Sequence, residues 1–296
     1  MPWLQIRLHS KQNQVPELED MLLDCGAMVV TLEDVNDTPV YEPELNTTPL
    51  WNDTRVTGLF EADADVEKIQ SIIEEKATVL NTDLHLKIEI LEDKDWEREW
   101  MDSYHPIKFG ERLWVCPSWR EVPEPDAVNL MLDPGLAFGT GTHPTTAMCL
   151  TWLDSIDCQD KTIIDYGCGS GILGIAGLLL GANKMIGIDI DPQAVQATQA
   201  NAQRNNIAAN KIEVRLPPYD NPQPADIVVA NILAGPLAHL APTISTLVSK
   251  KGLLALSGVL VSQAQEVIDA YTPWFTVESV AEQDEWVRIV CSKNTD

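Results

Sequence analysis

Residues 165–171 read Asp-Tyr-Gly-Cys-Gly-Ser-Gly, between a short apolar run at Ile163 and Ile164 and a longer one from Ile172 to Leu180. Glycines at such a strand-to-helix turn bring backbone N–H groups close to a ligand, with a helix N-terminus behind them. Residues 169–174 (G-S-G-I-L-G) also satisfy G-x-G-x-x-G, so the loop alone does not separate a dinucleotide from an adenosyl cofactor. The next apolar run ends Ile188-Asp189-Ile190-Asp191. It sets a carboxylate 22 residues beyond Gly167, where it would accept both hydroxyls of a ribose. A further run ends Ala230-Asn231-Ile232-Leu233-Ala234-Gly235-Pro236, and an amide at that strand end faces the crevice beside the loop.

Other reactive side chains read better as structural. Asp191, just before Pro192, is placed to cap the following helix. His143 is a tempting base, but a hydrogen bond that orders its loop is the simpler role. Cys168 has no basic neighbour in sequence to activate its thiol and reads as a small filler. The five histidines and six cysteines show no metal-ligand spacing and no C-x-x-C pair, so neither a metal nor a disulfide framework is expected.

The elements that carry these residues form two sets. Residues 2–8 alternate as a strand, Val15 to Cys25 repeat at helical spacing up to Gly26, and 27–32 and 55–62 are strand-like. Val66, Ile69, Ile73, Ala77 and Leu80 line a helix face, and 85–91 alternates again. Strand-helix-strand-strand-helix-strand is the ferredoxin-like order, predicted for residues 1–91, with 33–53 read as a loop. Residues 92–105 predict a charged linker helix bearing Trp96, Trp100 and Tyr104 on one stripe, stopped by Pro106. Beyond it, strands over 161–165, 184–189, 211–216, 225–231 and 252–257 alternate with helix-length segments, and two last strands, 274–280 and 285–291, should form a hairpin. The prediction for 106–296 is a seven-stranded, mostly parallel open sheet.

Composition limits the partners. Forty-five acidic against 20 basic side chains give a formal charge of −25, and residues 1–100 alone hold 23 acids and 8 bases. Such a chain lacks the Lys and Arg that broad phosphate-backbone contact requires, and suits a basic partner instead. The N-terminus has no signal-peptide pattern, and the longest apolar stretch, 171–182, is too short to span a bilayer. A cytoplasmic protein is expected, and a monomer, since no heptad run or long apolar edge asks for assembly.

The glycine triplet, the acidic second strand and the polar fourth-strand end resemble the class I S-adenosylmethionine-dependent methyltransferases. A further segment, 133–146 (DPGLAFGTGTHPTT), together with DYGCGSGIL and ANILAGP, is similar to the bacterial ribosomal protein L11 methyltransferases. The similarity runs over essentially the whole chain, least clearly over 33–53. It implies a Rossmann-like methyltransferase sheet and a substrate-gripping N-terminal domain. It further implies S-adenosylmethionine as cofactor and trimethylation of lysine ε-amines and the N-terminal α-amine of one large-subunit protein. The cofactor contacts it implies are Thr146, Gly167, Asp189 and Asn231, joined by Asp165 and Gly169 of the loop. A segment from Phe138 to Thr142 would fold over the cofactor, and Asn231 would aim the amine. Three rivals stay open: an NAD-dependent oxidoreductase, a binding module without turnover, and a methyltransferase acting on RNA. The last is disfavoured by N-I-L-A standing where exocyclic-amine enzymes carry an aromatic.

Overall fold

The computed structural model describes residues 2–36, 49–91, 101, 104–133, 141–218 and 223–294, in two compact units, Met1–Trp100 and Met101–Asp296. The division falls within the segment 92–105 expected as a linker. Trp96 and Trp100 of the aromatic stripe lie outside the described residues, as does most of the 33–53 loop.

In the first unit β1 (Trp3–Lys11), α1 (Val15–Asp24), β2 (Val29–Asp34), β3 (Asp53–Glu61), α2 (Val66–Leu80) and β4 (Lys87–Leu91) form a four-stranded antiparallel sheet, ordered β2-β3-β1-β4. The period-2 alternation of β1 turns Leu4, Ile6 and Leu8 to one face, where they pack with Leu18 and Leu22 of α1 and Ile69 and Ile73 of α2. Asp65 caps α2 by accepting from the Lys68 N–H, and Gly26, at φ 96°, follows the end of α1.

The second unit opens with three strands of three to four residues, β5 (Ile107–Phe109), β6 (Leu113–Cys116) and β7 (Val128–Met131), which pair as a small sheet. There follow α3 (Pro144–Ser155), β8 (Thr162–Tyr166), α4 (Ile172–Leu179), β9 (Lys184–Ile188), α5 (Pro192–Arg204), β10 (Ile212–Arg215), β11 (Ala225–Asn231), α6 (Ala234–Leu247), β12 (Val248–Leu260), α7 (Ala264–Tyr271), β13 (Phe275–Gln283) and β14 (Trp286–Lys293). Seven strands pair in the order β10-β9-β8-β11-β12-β14-β13, the first five parallel and β14 and β13 antiparallel. The hairpin turn is tighter than expected, because pairing continues to Gln283–Trp286 and leaves only Asp284 and Glu285 between the strands.

The central parallel strands β8, β9 and β11 are buried on both faces, so they read as continuous apolar runs. One face packs with α3 and α4 through Leu150, Ile163 and Ile175, the other with α6 and α7 through Ile164, Leu237 and Val267. From β8 the chain runs outward to β9 and β10, then returns to place β11 on β8's other side. The strand order reverses there, and ligands of open α/β sheets bind outside the carboxyl ends of the strands at such a reversal. Among the described residues no helix is long and apolar enough to cross a membrane.

Candidate active site

The turns after β8, β9 and β11 enclose a cavity of about 590 Å³ at that reversal. Of the residues expected at the site, Thr146, Asp165, Gly167, Gly169, Asp189 and Asn231 all line it. Thr142 is exposed and outside the lining, and Phe138 lies outside the described residues.

The glycine loop is held by its own donors. Gly167 and Cys168 N–H both donate to the Ile188 carbonyl, at 2.7 and 3.1 Å, and Gly171 N–H to the Cys168 carbonyl. The Gly169 N–H donates to Asp189 Oδ2 at 2.9 Å. Gly167, Gly169 and Gly171 all adopt positive φ, which side-chain-bearing residues rarely take. Four of the loop's N–H groups, those of Gly167, Cys168, Gly169 and Gly171, are thus spent on the fold.

That finding bears on the choice of cofactor. A pyrophosphate needs free N–H donors or cations, whereas among the described residues the cavity is lined by Asp165 and Asp189 and by no Lys, Arg or His. Two carboxylates among apolar walls fit a ligand that carries positive charge. S-adenosylmethionine, a sulfonium and an ammonium without phosphate, fits this lining, and the volume lies within the roughly 300–1,000 Å³ usual for cofactor pockets.

Asp189 follows β9 directly. Its Oδ2 receives Gly169 N–H, and its Oδ1 receives Asp191 N–H at 3.0 Å. An ionised carboxylate has about four lone-pair sites, so both oxygens keep capacity for a diol. Asp191 accepts from the Gln193 N–H at 2.8 Å and caps α5, the role its position suggested. Loss of the Asp189 carboxylate in Asp189→Ala removes charge-assisted bonds worth about 1.5 kcal/mol or more, so calorimetry should show cofactor affinity weakened at least about tenfold. Unchanged affinity would take Asp189 out of the binding set.

Asp165, the last residue but one of β8, is wholly buried and accepts from the Gly174 N–H at 2.8 Å inside α4. Burial drives its pKa up to about 7, against the pull of that hydrogen bond, and the nearby Asp189 charge adds to the rise. The folded protein therefore retains a proton that the unfolded chain releases above about pH 4. Stability contributed here is greatest below that pH, falls as pH rises to 7, and is then level, a loss of about 4 kcal/mol. Asp165→Asn keeps an acceptor for Gly174 and removes the titration. Its melting temperature without cofactor should exceed wild type at pH 8, with the gap narrowing toward pH 5; a gap independent of pH would refute this.

Asn231 ends β11, and its Nδ2 donates to Thr146 Oγ1 at 3.2 Å, bringing together residues 85 apart in sequence. His143 caps α3, its ring accepting from the Thr145 N–H and contacting Trp286 edge-on at 4.9 Å. It is not in the cavity lining, and burial lowers its pKa, in accord with a loop-ordering role. The Cys168 thiol is pushed up to about 12, chiefly by burial, and its sulfur lies 3.4 Å from the Thr198 hydroxyl oxygen.

Several supporting residues carried no signal in the sequence. Thr198 Oγ1 and Asn201 Nδ2 of α5 donate to the Gly169 and Ser170 carbonyls, at 3.0 and 2.9 Å. Asn205 exchanges two hydrogen bonds with the Met131 backbone, tying β7 to the same helix end. A Cβ on Gly258 would overlap the Ile232 carbonyl, and one on Gly167 the Ile232 side chain, so both glycines permit the turn that follows Asn231.

An open α/β sheet with a glycine loop after β8, a carboxylate directly after β9 and an acid-lined cavity is the architecture of an S-adenosylmethionine-dependent methyltransferase of class I. The family model described as "Ribosomal protein L11 methyltransferase (PrmA)" matches residues 2–294, and the chain belongs to that family. A ribosomal protein L11 methyltransferase of Marinomonas sp. is 75% identical over 295 residues, 99% of this chain and all of that protein. The Klebsiella pneumoniae protein of the same description is 57% identical over 296 residues, again 99% of this chain and all of that one. Among solved structures, a ribosomal protein L11 methylase from Lactobacillus delbrueckii matches with a TM-score of 0.58 and 28% identity, covering 64% of this chain and 98% of that one.

Proposed function

We propose that the cavity between β8 and β11 transfers methyl groups from S-adenosylmethionine to amines of ribosomal protein L11, the N-terminal α-amine and lysine ε-amines, up to trimethylation. The observation that carries this reading is the acid-lined, cation-free pocket with an amide acceptor at its mouth. The cofactor supplies an electrophilic methyl on sulfur. Asp189 binds the cofactor, with Gly167, Gly169 and Asp165 shaping the floor. Methylation needs a neutral nitrogen aimed in line with the methyl carbon. Asn231 Oδ1 and the adjoining backbone carbonyl accept the amine's N–H groups and so aim its lone pair. Lysine, whose side chain ordinarily titrates at about pH 10.4, must first lose a proton, which water takes.

The N-terminal unit, read as a ferredoxin-like domain over residues 1–91, grips the substrate, and 92–105 serves as the linker to the methyltransferase domain, 106–296. Exposed Glu17, Asp20 and Asp24 on α1, and Glu74 and Glu75 on α2, support a basic protein partner over RNA. The enzyme acts as a cytoplasmic monomer, where its substrate is made.

The test is incubation with methyl-labelled cofactor and a whole ribosomal-protein extract, read by mass spectrometry. One large-subunit protein gaining three methyls per amine is the expected result. Label on RNA overturns the partner, and cofactor binding without transfer overturns the enzyme.

A further inference from the structure

Helix α5 lies so close to the glycine loop that a Cβ on Gly171 would come within 2.7 Å of Thr198 Cγ2. Beside the Thr198 hydroxyl on the Gly169 carbonyl, that helix sends the Asn201 amide to the Ser170 carbonyl at 2.9 Å. Asn201 is 7% exposed, and the way its amide turns is decided at both ends. Arg204 Nη1 donates to Oδ1 at 2.6 Å and a guanidinium has no acceptor, while the Ser170 carbonyl has no donor. Arg204 is itself anchored. Its Nη2 lies 3.2 Å from Asp133 Oδ2, and Asp133 accepts from the Ser118 N–H and hydroxyl at 2.7 and 2.9 Å. A chain of bonds thus runs from Ser118 through Asp133, Arg204 and Asn201 to the loop.

The loop needs such a hold. Glycines 167, 169 and 171, each at positive φ, have little torsional preference of their own, so bonds from outside set where the loop's N–H groups point. Gly169 is tied at both ends, its carbonyl to Thr198 and its N–H to Asp189 Oδ2. We propose that Asn201, oriented by Arg204, is a positioning residue for cofactor binding. By fixing the Ser170 carbonyl it holds the Gly169 N–H on Asp189, and so keeps that carboxylate turned to the ribose hydroxyls. This rests on the ribose role given to Asp189 above. Neither Asn201 nor Arg204 lines the cavity, so their effect on the ligand passes through the loop.

The experiment measures Kd by calorimetry on the full-length protein, for S-adenosylhomocysteine and for its 2′,3′-dideoxy analogue, which lacks both hydroxyls. Wild type should bind the dideoxy compound at least about tenfold more weakly, which is what one charge-assisted hydrogen bond contributes. Asn201→Asp is nearly isosteric and keeps an acceptor for Arg204, whose charge holds the new carboxyl ionised, but it sets an acceptor against the Ser170 carbonyl. It should weaken S-adenosylhomocysteine by about tenfold and the dideoxy analogue by less than about threefold, because the first ligand alone uses Asp189. Equal weakening of both, the mark of a loop merely loosened, overturns the proposal, as does unchanged affinity for both. If Asn201→Asp does not fold, the same two-ligand comparison on Arg204→Met decides: selective weakening of S-adenosylhomocysteine upholds it, and equal or no weakening overturns it. A wild type that binds the two ligands alike removes the ribose role of Asp189 and the proposal with it, a result visible before any variant is compared.

Discussion

Asn231→Ala should lower kcat for protein methylation by about 100-fold while changing cofactor Kd less than about threefold, the pattern of an orienting group lost without a binding group. The geometry sets the expectation. Asn231 sits at the carboxyl end of β11, its backbone paired with Ser257 of β12 and that of the preceding Ala230 with Tyr166 of β8. Truncation therefore leaves the strand in place and removes one acceptor from the cavity mouth. An amine without that acceptor samples many orientations, and misplacement by about 1 Å costs roughly 100-fold in such reactions. Asn231→Asp separates the aiming role from simple space-filling. A carboxylate at that place favours the protonated ammonium, so the pH–rate profile should move to higher pH rather than fall uniformly. Equal losses in kcat and cofactor affinity for Asn231→Ala would assign the residue to the cofactor and leave the amine without its guide.

The strands with strong apolar runs, and the loops that end them, were legible because a two-sided parallel sheet leaves its mark residue by residue: Ile163-Ile164-Asp165 and Val228-Val229-Ala230-Asn231 each announce a buried strand closing on a polar side chain. Helix α3 was not legible. It buries Met148, Cys149, Leu150, Trp152 and Leu153 around much of its circumference, so no amphipathic period survives, and Thr145 and Thr146 read as loop. The sheet of β5, β6 and β7 was hidden for another reason, since strands of three or four residues cannot establish a period of two. The direction of the glycine loop's hydrogen bonds was also out of reach. G-x-G-x-G predicts a backbone close to a ligand, yet which carbonyl receives each N–H depends on Ile188 and Asp189 one strand away. That non-local pairing takes up the Gly167, Cys168 and Gly169 donors and, with no Lys, Arg or His among the described residues of the cavity lining, weighs against the NAD rival that the string alone left open.

Gly258 shows how far a catalytic turn depends on a residue with no chemistry of its own, and Gly258→Ala should be the most damaging methyl group that can be added near the site. Its φ is 83°, where a side chain costs about 1–3 kcal/mol by itself. The added Cβ would also overlap the carbonyl and press on the backbone nitrogen of Ile232, the residue after Asn231. Backbone cannot rotate away as a side chain can, so either β12 or the Asn231–Ile232 turn must shift. Ser257, paired with Asn231, is fully buried and donates to the Val287 carbonyl at 2.9 Å, which pins β12 to β14. The turn is the part free to move, and it carries the amide that aims the amine. The variant should lose about 5–10 °C in melting temperature, from a few kcal/mol in a domain of this size. Its kcat should fall at least as far as that of Asn231→Ala, because the displaced turn also presses Ile232 away from Gly167. Gly235→Ala is the matched control. It lies in α6 four residues beyond Asn231, with nothing within 4 Å of an added Cβ, and alanine favours a helix over glycine by about 0.8–1.0 kcal/mol. Wild-type stability and turnover in Gly258→Ala would show that the turn tolerates displacement, and would end the claim that its position sets the rate.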